Sequence, residues 1–250
     1  MTERILEVCV DSVESAIAAE KGGATRLELC ANLIIGGTTP SVALFDAVRA
    51  TVEIPVNVLI RPRFGDFLYT EAEYDIMRRE IAMFAQRGAN AMVIGALRAD
   101  GTLDREKMQG MIAAANGIHI TMHRAFDVCR DATETLEEAV ELGVDTILTS
   151  GQKANAWEGR AVIGALLEKA QGRADILIGA GVSAAMIADF RREYPLAHAF
   201  HLSGKAILDS GMTYRNAEVS MGLPGISEFQ VWRTEEGAIR RAKEALLCDK

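Results

Sequence analysis

Residues 5–30 read Ile5-Leu-Glu-Val-Cys-Val10-Asp-Ser-Val-Glu-Ser-Ala-Ile-Ala-Ala-Glu20-Lys-Gly-Gly-Ala-Thr-Arg26-Leu-Glu-Leu-Cys30. A β-rich run at 5–10 gives way to an amphipathic pattern over about 12–22, a Gly22-Gly23 stop and a second β-rich run at 26–30. Glycine just past a helix end adopts the left-handed conformation without steric cost, so the pair marks where the helix stops. Strand, helix and strand in this order need a crossover, and the two strands then lie parallel.

The same unit recurs along the chain. Gly88-Ala89-Asn90 and Gly143-Val144-Asp145 repeat the punctuation, and further strands are predicted near 56–61, 91–95, 118–123, 144–149, 175–180 and 199–203. Helices are predicted at about 41–51, 71–88, 104–115, 131–142, 156–171, 183–193 and 234–247. Ser41, Asp104, Asp131 and Ser183 stand where a side-chain oxygen can cap free helix amides. Eight strands alternating with eight helices fit an open doubly wound sheet or a closed barrel. A length of 250 residues favours closure into one domain, an α/β protein of the (β/α)8 TIM-barrel type spanning 1–250. The stretch 204–233 holds Gly211, Gly222, Pro224 and Gly225 with little periodicity, which predicts a long loop after the eighth strand, lying over the barrel's polar pole.

Hydrophobic residues at 49% and charged residues at 25% supply a sizeable core. The net charge of -8, without any run of Lys or Arg, disfavours nucleic acid and anionic membranes as partners. No segment has the unbroken apolar length that spans a bilayer, so the cytoplasm is the expected location. Cys9, Cys30, Cys129 and Cys248 form no C-x-x-C pair, and in a reducing compartment they stay thiols.

In a parallel barrel the carboxyl ends of all strands converge on one face, where chemistry is gathered. Polar residues recur at those ends: Glu7 and Cys9, Glu28 and Cys30, Arg61 and Arg63, His123 and Arg124, His201 and Ser203. Side chains alternate across a strand, so Glu7 and Cys9 share a face, as do Arg26, Glu28 and Cys30. Their apolar neighbours Leu6, Val8, Leu27 and Leu29 assign the Glu and Cys face to the barrel interior.

A buried carboxylate must be paired or neutral, and Arg26 and Arg61 are the partners in view. Two readings stay open. Glu7, Glu28, Arg26 and Arg61 form an ion network that fixes register, or a glutamate with a displaced pKa acts as general acid or base. His123 and His201 each suit a base or a ligand. Gly179-Ala-Gly181-Val-Ser183 with Ser203-Gly204-Lys205 resembles the phosphate grip built by loops after strands seven and eight, or simply makes tight turns. Gly36-Gly37 followed by Arg61-Pro62-Arg63 offers guanidinium forks to a carboxylate or phosphate. Cys9 and Cys30, expected at similar heights on adjacent strands, bring two sulfurs within reach of one soft ion such as Cu(I), or pack as small apolar groups.

The runs Glu7-Val-Cys9-Val-Asp11, Arg26-Leu-Glu28-Leu-Cys30, Gly36-Gly37-Thr-Thr-Pro40-Ser41, Arg61-Pro62-Arg63, Met122-His123-Arg124-Ala-Phe126-Asp127, Leu148-Thr-Ser150-Gly151 and His201 resemble the CutC copper homeostasis protein family along the whole chain. The resemblance implies a single-domain barrel, cytoplasmic, a homo-oligomer (dimer or tetramer), with a role in copper homeostasis and Cu(I) bound through Cys9 and Cys30. Beside it stands a second expectation from the residues themselves, an enzyme acting on a small phosphorylated or carboxylated metabolite. In that reading Glu7, Glu28 and His123 move protons, while Arg26, Arg61, His201, Gly181 and Ser203 hold the anion.

Overall fold

Every predicted β-rich run forms a strand, and the first eight close on themselves. The computed structural model describes residues 3–248 apart from 217, 220, 221, 223 and 224. The barrel strands are β1 (Ile5–Val10), β2 (Arg26–Leu29), β3 (Val56–Leu59), β4 (Ala91–Ile94), β5 (His119–Met122), β6 (Thr146–Thr149), β7 (Asp175–Ile178) and β8 (Ala199–Leu202). Each pairs in parallel with its neighbours, and β8 closes onto β1. The crossovers carry α1 (Val13–Lys21), α2 (Val42–Arg49), α3 (Glu71–Gln86), α4 (Arg105–Ala115), α5 (Ala132–Glu141), α6 (Arg160–Ala170) and α7 (Ala184–Glu193), and α8 (Glu236–Leu247) ends the chain's helices. This is the closed (β/α)8 barrel that the alternation predicts. Among the described residues no helix is long and apolar enough to cross a membrane.

The predicted caps close the helices they start. Ser41, Asp104, Asp131 and Ser183 accept from the amides of Leu44, Lys107, Glu134 and Met186. The helices lie outside the barrel, against Leu6, Val8, Val10 and their counterparts on the other strands, in one large apolar cluster. The inward face is different. Its apolar residues fall into two small clusters, Ile5, Leu148, Leu177 and Ala199 in one, and Cys30, Leu59 and Val93 in the other. Buried polar side chains, Glu7, Glu28, Asn57, Thr121 and Thr146, occupy other inward positions of the lumen.

The stretch 204–233 is not loop throughout. It contains β9 (Lys205–Asp209) and β10 (Gln230–Thr234), an antiparallel pair separate from the barrel. Most of their side chains are exposed, so no buried face imposes a two-residue hydrophobic period and the sequence pattern stays silent. Pro224, one of the residues behind the loop reading, lies outside the described residues. At the ribbon's base the Thr234 amide donates to Ser15 Oγ (3.1 Å) and its hydroxyl to the Ser203 carbonyl (3.1 Å), which fixes Lys205 at the rim of the barrel.

Candidate active site

The carboxyl pole opens into a cleft of about 1000 Å³, floored by Cys9, Glu28, Leu59, His123, Leu148 and His201. Its floor follows from strand register. Glu7 lies opposite both Arg26 and His201, whereas Glu28 lies opposite Cys9 and Asn57. One offset between equivalent glutamates gives them different neighbours.

Glu7 is fully buried and saturated. One carboxylate oxygen accepts from Arg26 Nε (2.6 Å) and Asn57 Nδ2 (3.0 Å), and the other contacts His201 Nδ1 at 2.8 Å. Burial pushes against its charge, but the Arg26 guanidinium and the His201 bond outweigh burial and hold Glu7 down to about 2. Glu28 is 6% exposed and its Oε2 has no hydrogen-bond partner among the described residues. Burial dominates there; His201 draws the value down, Glu7 pushes it up, and the carboxyl is raised to about 7. His201 feels burial too, yet Cys9, Glu28 and Glu7 around it raise the imidazole well above its ordinary value.

Arg61 and His123 stand around one aromatic ring. The Arg61 guanidinium lies 5.2 Å from the Phe67 ring centre, and the His123 ring centre lies 4.9 Å from it. Arg61, 8% exposed, does not pair with either buried glutamate as the sequence suggests. Its Nη1 donates to the Gly37 carbonyl (3.0 Å) and its Nη2 to the Gly65 carbonyl (2.9 Å), while Nε is buried without a partner. Glycines at 36 and 37, both at positive φ (86° and 85°), let this loop fold its carbonyls over the guanidinium. His123 is 4% exposed. Its Nδ1 accepts from the Ala125 amide (3.1 Å), which leaves the proton on Nε2, and Nε2 also lacks a partner. Burial first, and the Arg61 charge second, lower His123 to about 3, so the ring is a neutral N–H donor at physiological pH.

At the rim, Asp127 joins two strand-end loops. It accepts from Arg124 Nε (2.6 Å), Thr149 Oγ1 (2.6 Å) and the Ser150 amide (2.9 Å). Gly181 lines the cleft from the loop before α7, where Ala180 and Gly181 are both at positive φ (76° and 74°). Ser203 and Lys205, which follow the neighbouring strand β8, line this rim with Arg241. The structure therefore gathers Glu7, Arg26, Glu28 and His201 into one network and Arg61 and His123 into another. Sequence reasoning missed Asn57, Phe67, Gly95 and Arg241. Only Asn57, the lone amide in the apolar run Val56-Asn57-Val58-Leu59, carries a readable signal.

The two cysteines are not at the same height. Cys9 pairs with Glu28, and Cys30 lies two residues further along the second chain segment. The Cys30 thiol donates to the Val10 carbonyl (3.6 Å), and burial, with Cys9, Glu28 and Asp11 nearby, pushes it well above the usual thiol range. A soft metal needs thiolates turned toward one point, and a protonated thiol bonded to backbone does not fit that requirement. Glu7, Glu28 and His201 offer ligand atoms within 4.8 Å of one another. Both Glu7 oxygens, however, are occupied and the Arg26 cation sits against one of them, so the cluster fits a proton network better than a cation site.

Comparison with known proteins gives one consistent result. The model of the CutC family matches residues 4–206. A family protein CutC from Bacteroides fragilis (strain YCH46) is 42% identical over 249 residues, covering 98% of this chain and 97% of the relative. The human copper homeostasis protein cutC homolog is 42% identical over 237 residues, covering 94% of this chain and 86% of its own. Among solved structures, a CutC protein from Streptococcus agalactiae aligns with a TM-score of 0.75 at 30% identity, over 80% of this chain and 98% of that one.

Proposed function

This chain belongs to the CutC family, and we propose that its barrel is an enzyme that moves a proton on a small anionic metabolite, with Glu28 carrying the proton. One observation supports the reading above the rest. Three buried polar atoms without partners among the described residues, Glu28 Oε2, His123 Nε2 and Arg61 Nε, belong to residues that line a single cleft. Each unsatisfied buried group costs about 1–3 kcal/mol, and a ligand that completes all three recovers that cost.

The remaining chemistry agrees. Two neighbouring glutamates are driven apart, Glu7 to about 2 and Glu28 to about 7, the separation that lets one carboxyl stay ionised while the other exchanges a proton near neutrality. The cleft is lined by Arg61, Arg124, Lys205 and Arg241 against only two carboxylates, Glu28 and Asp127, in a protein of net charge -8. That local excess favours an anion, with the loops at Gly181 and Ser203 placed to receive its distal end.

Copper reaches this protein through the names of its human and mouse relatives. The two thiols expected to hold it do not fit a shared ion as arranged, and no step is routed through copper. A cytoplasmic location and self-association stay part of the proposal, carried by the family alone.

The test combines a ligand screen with one substitution. Organic acids and sugar phosphates are screened for thermal stabilisation, where a ligand at a hundred times its Kd contributes about 2.7 kcal/mol. Hits are then incubated in D2O. The wild-type protein should exchange a carbon-bound proton of the hit, with a rate rising through a pH near 7, and Glu28→Gln should bind the hit without exchanging it. Equal exchange by both proteins would defeat the reading.

A further inference from the structure

Arg61 and His123 share a property that general anion attraction does not require. Each is held by protein partners at every polar atom except one, and in both cases the free atom is an N–H donor. Carbonyls of the glycine-rich loop and of Gly65 hold the two terminal nitrogens of Arg61, leaving Nε. The Ala125 amide holds Nδ1 of His123, leaving Nε2. Both groups lean on Phe67, which supplies an apolar wall. Space for the His123 ring is made by Gly95, where a Cβ would lie 2.7 Å from the ring Cε1 and 2.8 Å from Nδ1.

Resting on the enzyme reading above, we infer that Arg61 Nε and His123 Nε2 form an oxyanion pocket, and that the substrate is a carbonyl compound whose oxygen becomes an enolate there. Two preorganised donors in a water-poor site stabilise charge that develops in the transition state, and they need no reorganisation at the moment of reaction. A neutral imidazole is the better donor for this purpose, because it polarises the carbonyl without surrendering its proton. The step balances without a co-reactant. The Glu28 carboxylate takes a proton from the carbon beside the carbonyl, the C–H electron pair becomes the C=C bond, and the carbonyl π pair moves onto the oxygen between the two N–H groups. Returning a proton from Glu28 to the same carbon re-forms the C=O bond and discharges the oxyanion, so the step this pocket supports is enolisation with exchange of that carbon-bound proton.

The probe is oxalate, a planar dianion that mimics an enolate, with inorganic phosphate as the control. In protein labelled with ¹⁵N-histidine, oxalate should shift the His123 Nε2–H resonance downfield, a readout that needs no variant. Arg61→Lys keeps the charge but lacks an N–H at that place, and His123→Phe removes the donor; each should weaken oxalate binding about tenfold or more. His123→Gln, which restores an N–H, should bind within about threefold of wild type. Oxalate that binds without moving His123, or a phosphate response equal to that of oxalate, overturns the pocket. The two readings fail separately: loss of proton exchange in Glu28→Gln with an unmoved His123 leaves the enzyme reading standing alone, and the converse leaves the pocket alone.

Discussion

Replacing Glu28 with Gln should change how stability depends on pH more than it changes stability at any one pH. Glu28 has a carboxyl raised from 4.5 to about 7. An acid whose folded value is raised binds its proton more tightly when folded, so the folded state is penalised progressively once pH rises above the unfolded value, and the penalty levels off above the folded one. Integrating proton uptake for values of 4.5 and about 7 gives a penalty of about 0.8 kcal/mol at pH 5 and about 3.4 kcal/mol at pH 8.5. Glutamine is neutral throughout and carries no such penalty. The stability difference between Glu28→Gln and wild type should therefore move by about 2.5 kcal/mol in favour of the variant between pH 5 and pH 8.5. For a chain of this size that equals roughly 5–10 °C in relative Tm. Glu7 contributes no slope in this window, because a carboxyl held at about 2 is ionised in both states above pH 5; its contribution is lost only as pH falls from about 4.5 toward that value. His201, raised well above 6.5 in part by Glu28 itself, gives a falling slope above pH 6.5 that is shallower in the variant, so it moves the measured difference between the two proteins in the same direction. Urea unfolding of the two proteins at both pH values reads it, and repeating the series in 1 M salt should leave it in place because the group is buried. Parallel curves, with the variant displaced equally at both pH values, would refute the claim that burial and Glu7 hold this carboxyl near neutrality.

Two further outcomes follow from the same geometry. Gly95→Ala places a methyl against the His123 ring and 3.0 Å from Ala125 Cβ, so it should destabilise by about 1–3 kcal/mol and displace the His123 resonances, checked by urea unfolding and ¹⁵N spectra; unchanged spectra would show that the ring does not depend on this gap. In competition with a soft Cu(I) chelator, wild type and the Cys9→Ala, Cys30→Ala double variant should retain the same amount of copper, and a marked loss in the double variant would restore the two-thiol site.

The repeat of strand, helix and glycine stop was legible because each level of it is local: a cap, an apolar stripe and a left-handed glycine are all written within about twenty residues. The inward face of Glu7 and Glu28 was legible for the same reason, since alternation fixes it once the flanking Leu and Val residues are placed outside. What the sequence could not carry was relative height. Cys9 and Cys30 look equivalent in their strands, yet the register sets Cys9 against Glu28, and no local pattern encodes that offset. Arg61 was misassigned for a related reason. Its partners are backbone carbonyls of the loops around residues 37 and 65, and a carbonyl leaves no signature in a side-chain pattern. Phe67 falls outside any periodic segment and Gly95 is merely the last residue of the predicted run 91–95, so only their approach to His123 reveals them.

Register also separates two glutamates that the sequence pattern treats alike. The offset that gives Glu7 both Arg26 and His201 leaves Glu28 with neither as a hydrogen-bond partner, so two glutamates at equivalent points of neighbouring strands settle into opposite states. Glu7, saturated by Arg26, Asn57 and His201, is the structural member. It fixes the polar lumen and, by its own negative charge, helps to keep Glu28 protonated. Glu28, a cleft residue with a buried, unpartnered oxygen, is the member to which the proposed reaction assigns the proton. Removing Glu7 would therefore do two things at once, stranding the Arg26 charge and lowering the Glu28 value, whereas removing Glu28 would relieve the barrel of its least satisfied carboxyl. A residue that stability would discard, supported by one that stability requires, is the arrangement expected where the fold has been shaped around a reaction.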